Sequence, residues 1–250
     1  MSLSGKTAIV TGGSRDIGRA ISISLAAAGA NVVVNYRGNA AAAEDAVAEI
    51  EAAGGNAIHV QADVTNWDDC HRLAAEARAA FGDEIHYLVN NAGGLVARKQ
   101  LCEMDLEFWE QLMRLNLTSV FMMHKAVFPH MPAGGAILNI ASQAGRDGGG
   151  GGASAYATAK GAVMTFTRAM AKELGPKGIR VNSVCPGLIA TTFHDTFTPD
   201  KVRETVAGKT PLRREGTSED VARLVTCLLS EAGSFVSGAN VDVNGGLAFS

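Results

Sequence analysis

With 250 residues, 22 Lys plus Arg against 25 Asp plus Glu and a formal net charge of −3, the chain is too evenly charged to capture nucleic acid electrostatically. Hydrophobic residues make up 47% and charged residues 19%, which excludes a disordered chain. No apolar run approaches the roughly 18 unbroken residues of a membrane-spanning helix, so no membrane partner is expected.

Short β-branched runs alternate with longer helical patterns. Thr7–Thr11 reads as a first strand, Ile17–Ala28 as a helix closed by Gly29, and Asn31–Asn35 as a second strand. Ala43, Val47 and Ile50 step by four and three, which marks the buried face of a second helix. Ala57–Val60 is the third strand, Asn66 caps a helix running to Phe81, and Tyr87–Asn90 is the fourth strand. A helical pattern from Leu106 to about Met131 comes next, then a strand at Ala136–Ile140, a helix at Ser154–Leu174 and a strand at Ile179–Val184. Residues 192–216 read as an irregular lid with helical pieces, Ser218 as the cap of a helix to Leu229, and Asn240–Val243 as the last strand. The glycine run at 148–152 reads as a mobile loop. This alternation predicts an α/β fold, a Rossmann-type doubly wound parallel sheet of about seven strands in a single domain, 1–250.

Cys70, Cys102, Cys185 and Cys227 lie far apart, and the six histidines form no HxH or HExxH pattern, so no metal site is expected. Met1–Lys6 runs into a strand without the apolar core of a signal peptide, so a cytoplasmic protein with reduced thiols is expected.

The chemistry-bearing residues come just after the strands. Gly12, Ser14, Arg15, Asp16, Ile17 and Gly18 join the first strand to the first helix, where a glycine turn and free helix N–H groups suit a pyrophosphate. Asn90, Ala92 and Gly93 come at the end of the fourth strand, Ser142 after the fifth, and Pro186, Gly187, Ile189 and Thr191 after the sixth. Tyr156 and Lys160, at i and i+4, share one helix face. A lysine ammonium beside a phenol stabilises the phenolate and lowers a pKa that is ordinarily about 10. Tyr156 is then the acid and base at a carbonyl or alcohol oxygen, with Ser142 hydrogen-bonding the same oxygen.

The order TGxxxxIG, NNAG, Ser, YxxxK and PGxxxT resembles the short-chain dehydrogenase/reductase family over about residues 4–247, and the overall pattern is similar to 3-oxoacyl-acyl-carrier-protein reductases. The resemblance implies a place for Lys160 on the nicotinamide ribose and for Asn116, in Leu115–Ser119, in a water-mediated proton relay. It also implies adenine contacts at Asp63 and Val64, an adenosine-ribose neighbour in Asn90, carboxamide contacts at Ile189 and Thr191, and a homotetramer packed through the helices at 106–131 and 154–174. An acidic residue after the second strand would hold a ribose 2′-hydroxyl; here Tyr36 and Arg37 stand instead. With Arg15 as a second guanidinium suited to a 2′-phosphate, NADP(H) is favoured over NAD(H). The substrate implied is a small carbonyl or alcohol, an acyl thioester among them. A sugar, polyol or hydroxy-ketone substrate is the alternative, and a non-catalytic NADP-binding sensor is the alternative of another class.

Three departures from the family pattern stand out. Asp16 replaces a glycine at the pyrophosphate turn, where a carboxylate repels phosphate unless Arg15 or Arg37 neutralises it or its side chain points away, so Asp16→Gly is expected to tighten NADPH binding. Asn244 replaces an aspartate and reads as a turn residue. Pro129 interrupts the basic helix end on which an acidic carrier protein would dock. His194 reads as an exposed residue of the lid.

Overall fold

A computed structural model describes residues 2–249. Seven parallel strands form one sheet in the order β3-β2-β1-β4-β5-β6-β7: β1 (Thr7–Val10), β2 (Asn31–Tyr36), β3 (Asn56–Gln61), β4 (Tyr87–Asn90), β5 (Ala136–Ile140), β6 (Arg180–Pro186) and β7 (Asn240–Val243). Strands β1, β4 and β5 are buried throughout, as strands covered on both faces must be. The order reverses between β1 and β4, and the crevice at their C-terminal ends is where such sheets bind ligands.

On one face, α1 (Asp16–Ala27), α2 (Ala40–Ala52) and α10 (Ser218–Leu229) bury a stripe against the sheet. Ile21 and Leu25 of α1 meet Val221, Val225 and Leu229 of α10 in one apolar cluster. The Ser24 and Thr226 hydroxyls close that contact at 2.7 Å across 202 residues of sequence. On the other face lie α3 (Trp67–Phe81), α4 (Leu106–Met113), α5 (Ser119–Val127) and α7 (Ser154–Leu174). Asn66 caps α3 as expected, accepting from the Asp68 and Asp69 N–H groups.

Two local expectations are corrected, the helix over 106–131 and the cap of α10, and detail is added at the glycine run and the lid. The helix over 106–131 is not continuous: α4 passes into a π-helical turn, Arg114–Thr118, before α5 begins and a 3₁₀ turn ends it at His130. A one-residue insertion of this kind leaves the apolar pattern intact and rotates the helix beyond it. A short helix α6 (Ala144–Asp147) precedes the glycine run. In that run the Gly152 carbonyl accepts from Lys99 N–H at 3.1 Å and the Gly151 carbonyl from Arg98 at 2.9 Å. The cap of α10 is Thr217, whose hydroxyl and backbone N–H exchange hydrogen bonds with Asp220 in a capping box, so Ser218 is the first helical residue. The lid carries two helices, α8 (Thr192–Phe197) and α9 (Asp200–Lys209). Among the described residues, no helix is long and apolar enough to cross a membrane, and no group of three or more His, Cys, Asp or Glu is placed to hold a metal ion.

Candidate active site

A cleft of about 950 Å³ runs along the C-terminal ends of the strands. It starts at the turn between β1 and α1. Gly12 has φ +60°, and a Cβ on Gly18 would sit 2.1 Å from the Gly12 carbonyl oxygen, so both positions need glycine. The first α1 N–H group to find a backbone acceptor is that of Arg19, on the Arg15 carbonyl at 3.0 Å, which leaves the first-turn donors facing the cleft. Gly12 and Gly18, together with those donors and the adjoining Ser14, Arg15 and Ile17 on the cleft wall, make a cradle into which a pyrophosphate fits.

Sequence reasoning missed two residues that shape this cradle. Asn35, next to last in β2, accepts from the Gly12 N–H at 3.2 Å and donates to the Ala62 carbonyl at 3.0 Å. Asn91 donates to the Thr11 and Gly12 carbonyls at 3.0 and 3.1 Å. The available signal was an asparagine at the end of each apolar run, a side chain suited to bracing a neighbouring backbone.

Asp16 adopts the left-handed conformation, φ +49°, that a glycine would occupy without strain. Asp16 lines the cleft too, with its carboxylate engaged by Thr192, accepting from the Thr192 N–H at 3.1 Å and the Thr192 hydroxyl at 2.6 Å. Arg15 Nε stands 3.9 Å from the same carboxylate. Arg15, Tyr36, Arg37, Asp63 and Val64 line the cleft. The Asp63 carboxylate accepts from the Thr65 N–H and hydroxyl at 2.9 and 2.7 Å, which fixes the corner after β3.

Ser142, Tyr156 and Lys160 come together on the cleft wall, with Ala92, Gly93, Pro186, Gly187, Ile189 and Thr191 around them. Lys160 is 4% exposed and donates to the Ile140 carbonyl at 2.7 Å. Burial brings its ammonium pKa down to about 8. The Lys160 nitrogen lies 5.8 Å from the centre of the Tyr156 ring. The expected lowering of the phenol is not what this geometry gives: burial pushes Tyr156 up, and the hydrogen bond with Ser142 opposes it. Tyr156 therefore holds its proton at neutral pH.

Two predicted residues lie behind the wall rather than on it. Asn90, 3% exposed, donates to Asn139 Oδ1 at 2.9 Å inside the sheet. Strand alternation turns it inward where Asn91 reaches the glycine turn. Asn116 is fully buried in the π-helical turn, accepting from the Gly94 N–H at 2.9 Å and donating to the Gly94 and Leu112 carbonyls at 2.9 and 3.1 Å. A Cβ on Gly93 would fall 2.7 Å from Asn116 Oδ1 and 3.1 Å from Lys160 Nζ, so Asn116 and Lys160 flank one glycine.

The far side of the cleft is apolar: Leu95, Phe193, Phe197, Val202 and Val206 line it. The Phe193 ring stands 5.9 Å from that of Tyr156 and 5.2 Å from that of Phe197. His194 is half-buried rather than exposed, with Nδ1 2.9 Å from the Thr198 hydroxyl. Burial, then the Arg203 charge, lowers its pKa. Asn244 makes the expected turn, accepting from the Gly246 N–H and donating to the Ala248 carbonyl.

A family model described as enoyl-(acyl carrier protein) reductase matches residues 12–248. A 3-oxoacyl-(acyl-carrier-protein) reductase of Synechocystis sp. is 41% identical over 248 residues, covering 98% of each chain. Among solved structures, a 7α-hydroxysteroid dehydrogenase complexed with NADH and 7-oxo glycochenodeoxycholic acid superposes with a TM-score of 0.93 at 37% identity, covering 98% of this chain and 95% of that one. A blue fluorescent protein from a metagenomic library, in complex with NADPH, superposes at 0.91 with 36% identity over the whole of both chains. The chain belongs to the short-chain dehydrogenase/reductase family, oxidoreductases that bind nicotinamide cofactors and act on CH–OH and carbonyl groups.

Proposed function

We propose that the protein is an NADP(H)-dependent oxidoreductase that interconverts a ketone and a secondary alcohol, with a 3-oxoacyl thioester as the first substrate to try. The observation that carries this reading is the meeting of Tyr156, Lys160 and Ser142 in one cleft with the glycine cradle. The bound nicotinamide would supply or accept the hydride. The residues of the chain do the rest: Ser142 and Tyr156 hold the reacting oxygen, and Tyr156 gives it a proton in reduction or takes one in oxidation. The Tyr156 phenol is protonated at neutral pH and so has a proton to give, while burial makes that proton harder to lose and leaves the phenolate in need of a nearby positive charge. Lys160, its ammonium close to the phenol ring, steadies the phenolate that forms when the proton leaves.

Cofactor choice rests on Arg15 and Arg37, two exposed guanidiniums on the cleft wall with no acidic side chain at the end of β2. Substrate choice rests on Leu95, Phe193, Phe197, Val202 and Val206, which offer an acyl chain apolar contact in the cleft. Pro129, within the 3₁₀ turn Phe128–His130, argues for small thioesters ahead of a docked carrier protein.

Titration with NADPH and NADH, monitored by nicotinamide fluorescence, tests the cofactor reading: NADPH binds more tightly, and equal affinities would overturn the role of the two arginines. A 3-oxoacyl thioester and a panel of sugar ketones then separate the substrate classes. Cofactor binding without turnover of any carbonyl would replace the enzyme by a sensor.

A further inference from the structure

The lid helix α8 is held from outside itself. None of its six residues is buried, and its own N-cap, Thr191, makes no side-chain capping bond. Such a short helix has orphan donors at one end and orphan acceptors at the other, and little packing to hold it. Both ends are met by charged side chains from elsewhere in the chain. At the N-terminus, the Asp16 carboxylate takes the Thr192 N–H and hydroxyl at 3.1 and 2.6 Å. At the C-terminus, Arg98 Nε donates to the Phe197 carbonyl at 3.1 Å, while its Nη1 donates to the Gly151 carbonyl at 2.9 Å. A carboxylate at the start and a guanidinium at the end both match the helix dipole. Asp16 does this from the pyrophosphate turn in a left-handed conformation, φ +49°, that glycine would adopt free of strain. That strained backbone together with two hydrogen bonds to Thr192, the hydroxyl one at 2.6 Å, indicates what the aspartate is for.

We propose that Asp16 and Arg98 form a two-ended clamp that sets the position of α8, and with it Phe193 and Phe197, over Tyr156. They are positioning residues: neither reaches the Ser142–Tyr156 pair, and each acts through the lid. The clamp ties the cofactor turn, the glycine run and the substrate wall to one helix. Its consequence for catalysis rests on the function proposed above; its existence does not.

Hydrogen exchange of the ligand-free, full-length chain tests it. Losing two charge-assisted hydrogen bonds should raise exchange in residues 192–197 of Asp16→Gly by about tenfold or more. Asp16→Gly relieves backbone strain, so its thermal unfolding should not fall with it. Asp16→Asn keeps an acceptor for the Thr192 N–H and should restore most of the protection. Arg98→Ala should raise exchange in the same helix and also in 148–152. Unchanged exchange in Asp16→Gly, or Asp16→Asn exchanging as fast as Asp16→Gly, would overturn the clamp. In turnover, Asp16→Gly should raise the ketone KM several-fold more than it lowers kcat, and Asn should reverse this; a fall in kcat alone would count against positioning. A wild-type protein that turns over no ketone overturns the proposed function only, and the exchange result still decides the clamp.

Discussion

Lys160 carries its ammonium into a buried site, where burial lowers its pKa to about 8 and the Ile140 carbonyl accepts a hydrogen bond from it. The charged form dominates below that value and is lost above it. Since the charge steadies the phenolate left when Tyr156 gives up its proton, reductive kcat/KM should be flat below pH 7 and fall by about tenfold per pH unit above 8. Lys160→Arg, which stays charged, should retain a residual rate without that fall. Tyr156→Phe should cost roughly 10²–10⁴ in kcat with cofactor affinity unchanged, and retained turnover would remove Tyr156 from the mechanism. Residue identity at the YxxxK pair was readable because its chemistry needs two side chains on one face of a helix. The direction of the Tyr156 shift was not, because it comes from the depth of burial, which spacing does not encode. Asp16 shows the same division. A carboxylate at a phosphate turn is visible as an anomaly, yet only the fold brings Thr192 within 3.1 Å of it across 176 residues.

The elements with strong local signals came through to the residue: α3 from its Asn66 cap to Phe81, β4, β5, α7 and β7. The π-helical turn at Arg114–Thr118 did not, because one inserted residue leaves both flanking apolar stripes in place. It is also the insertion that points Asn116 inward at Gly94. Asn116→Ala would strand the N–H and carbonyl of Gly94 and the Leu112 carbonyl in a buried site, at about 2 kcal/mol. That corresponds to a Tm lower by roughly 4–8 °C for a chain of this size, measurable by calorimetry. An unchanged Tm would show that the turn repacks around the loss. In helix α7, Ala155, Ala157 and Ala159 are all buried within the chain.

At the scale of the molecule, the most exposed large apolar side chains lie at two places, with Trp67, Val96, Phe121 and Val202 less than half exposed elsewhere. Leu101 and Leu106 are 86% and 70% exposed at the start of the α4 region. Near the β7 edge, Leu212, Phe235 and Phe249 are 65%, 104% and 88% exposed. Paired exposed patches of this kind mark association sites, and we propose a homotetramer that covers both. Light scattering should return about four times the monomer mass, and a monomer at micromolar concentration would reject it.

The contact between α1 and α10 sets a timetable. Ile21 and Leu25 complete their packing in residues 218–229, and the Ser24–Thr226 bond spans nearly the whole chain. A ribosome working at about 5–20 residues per second needs roughly 10–40 s to bridge that interval. For that time the nascent dinucleotide half carries an uncovered greasy flank beside its glycine turn. Slower translation between the two helices lengthens the time for which that flank waits for its cover.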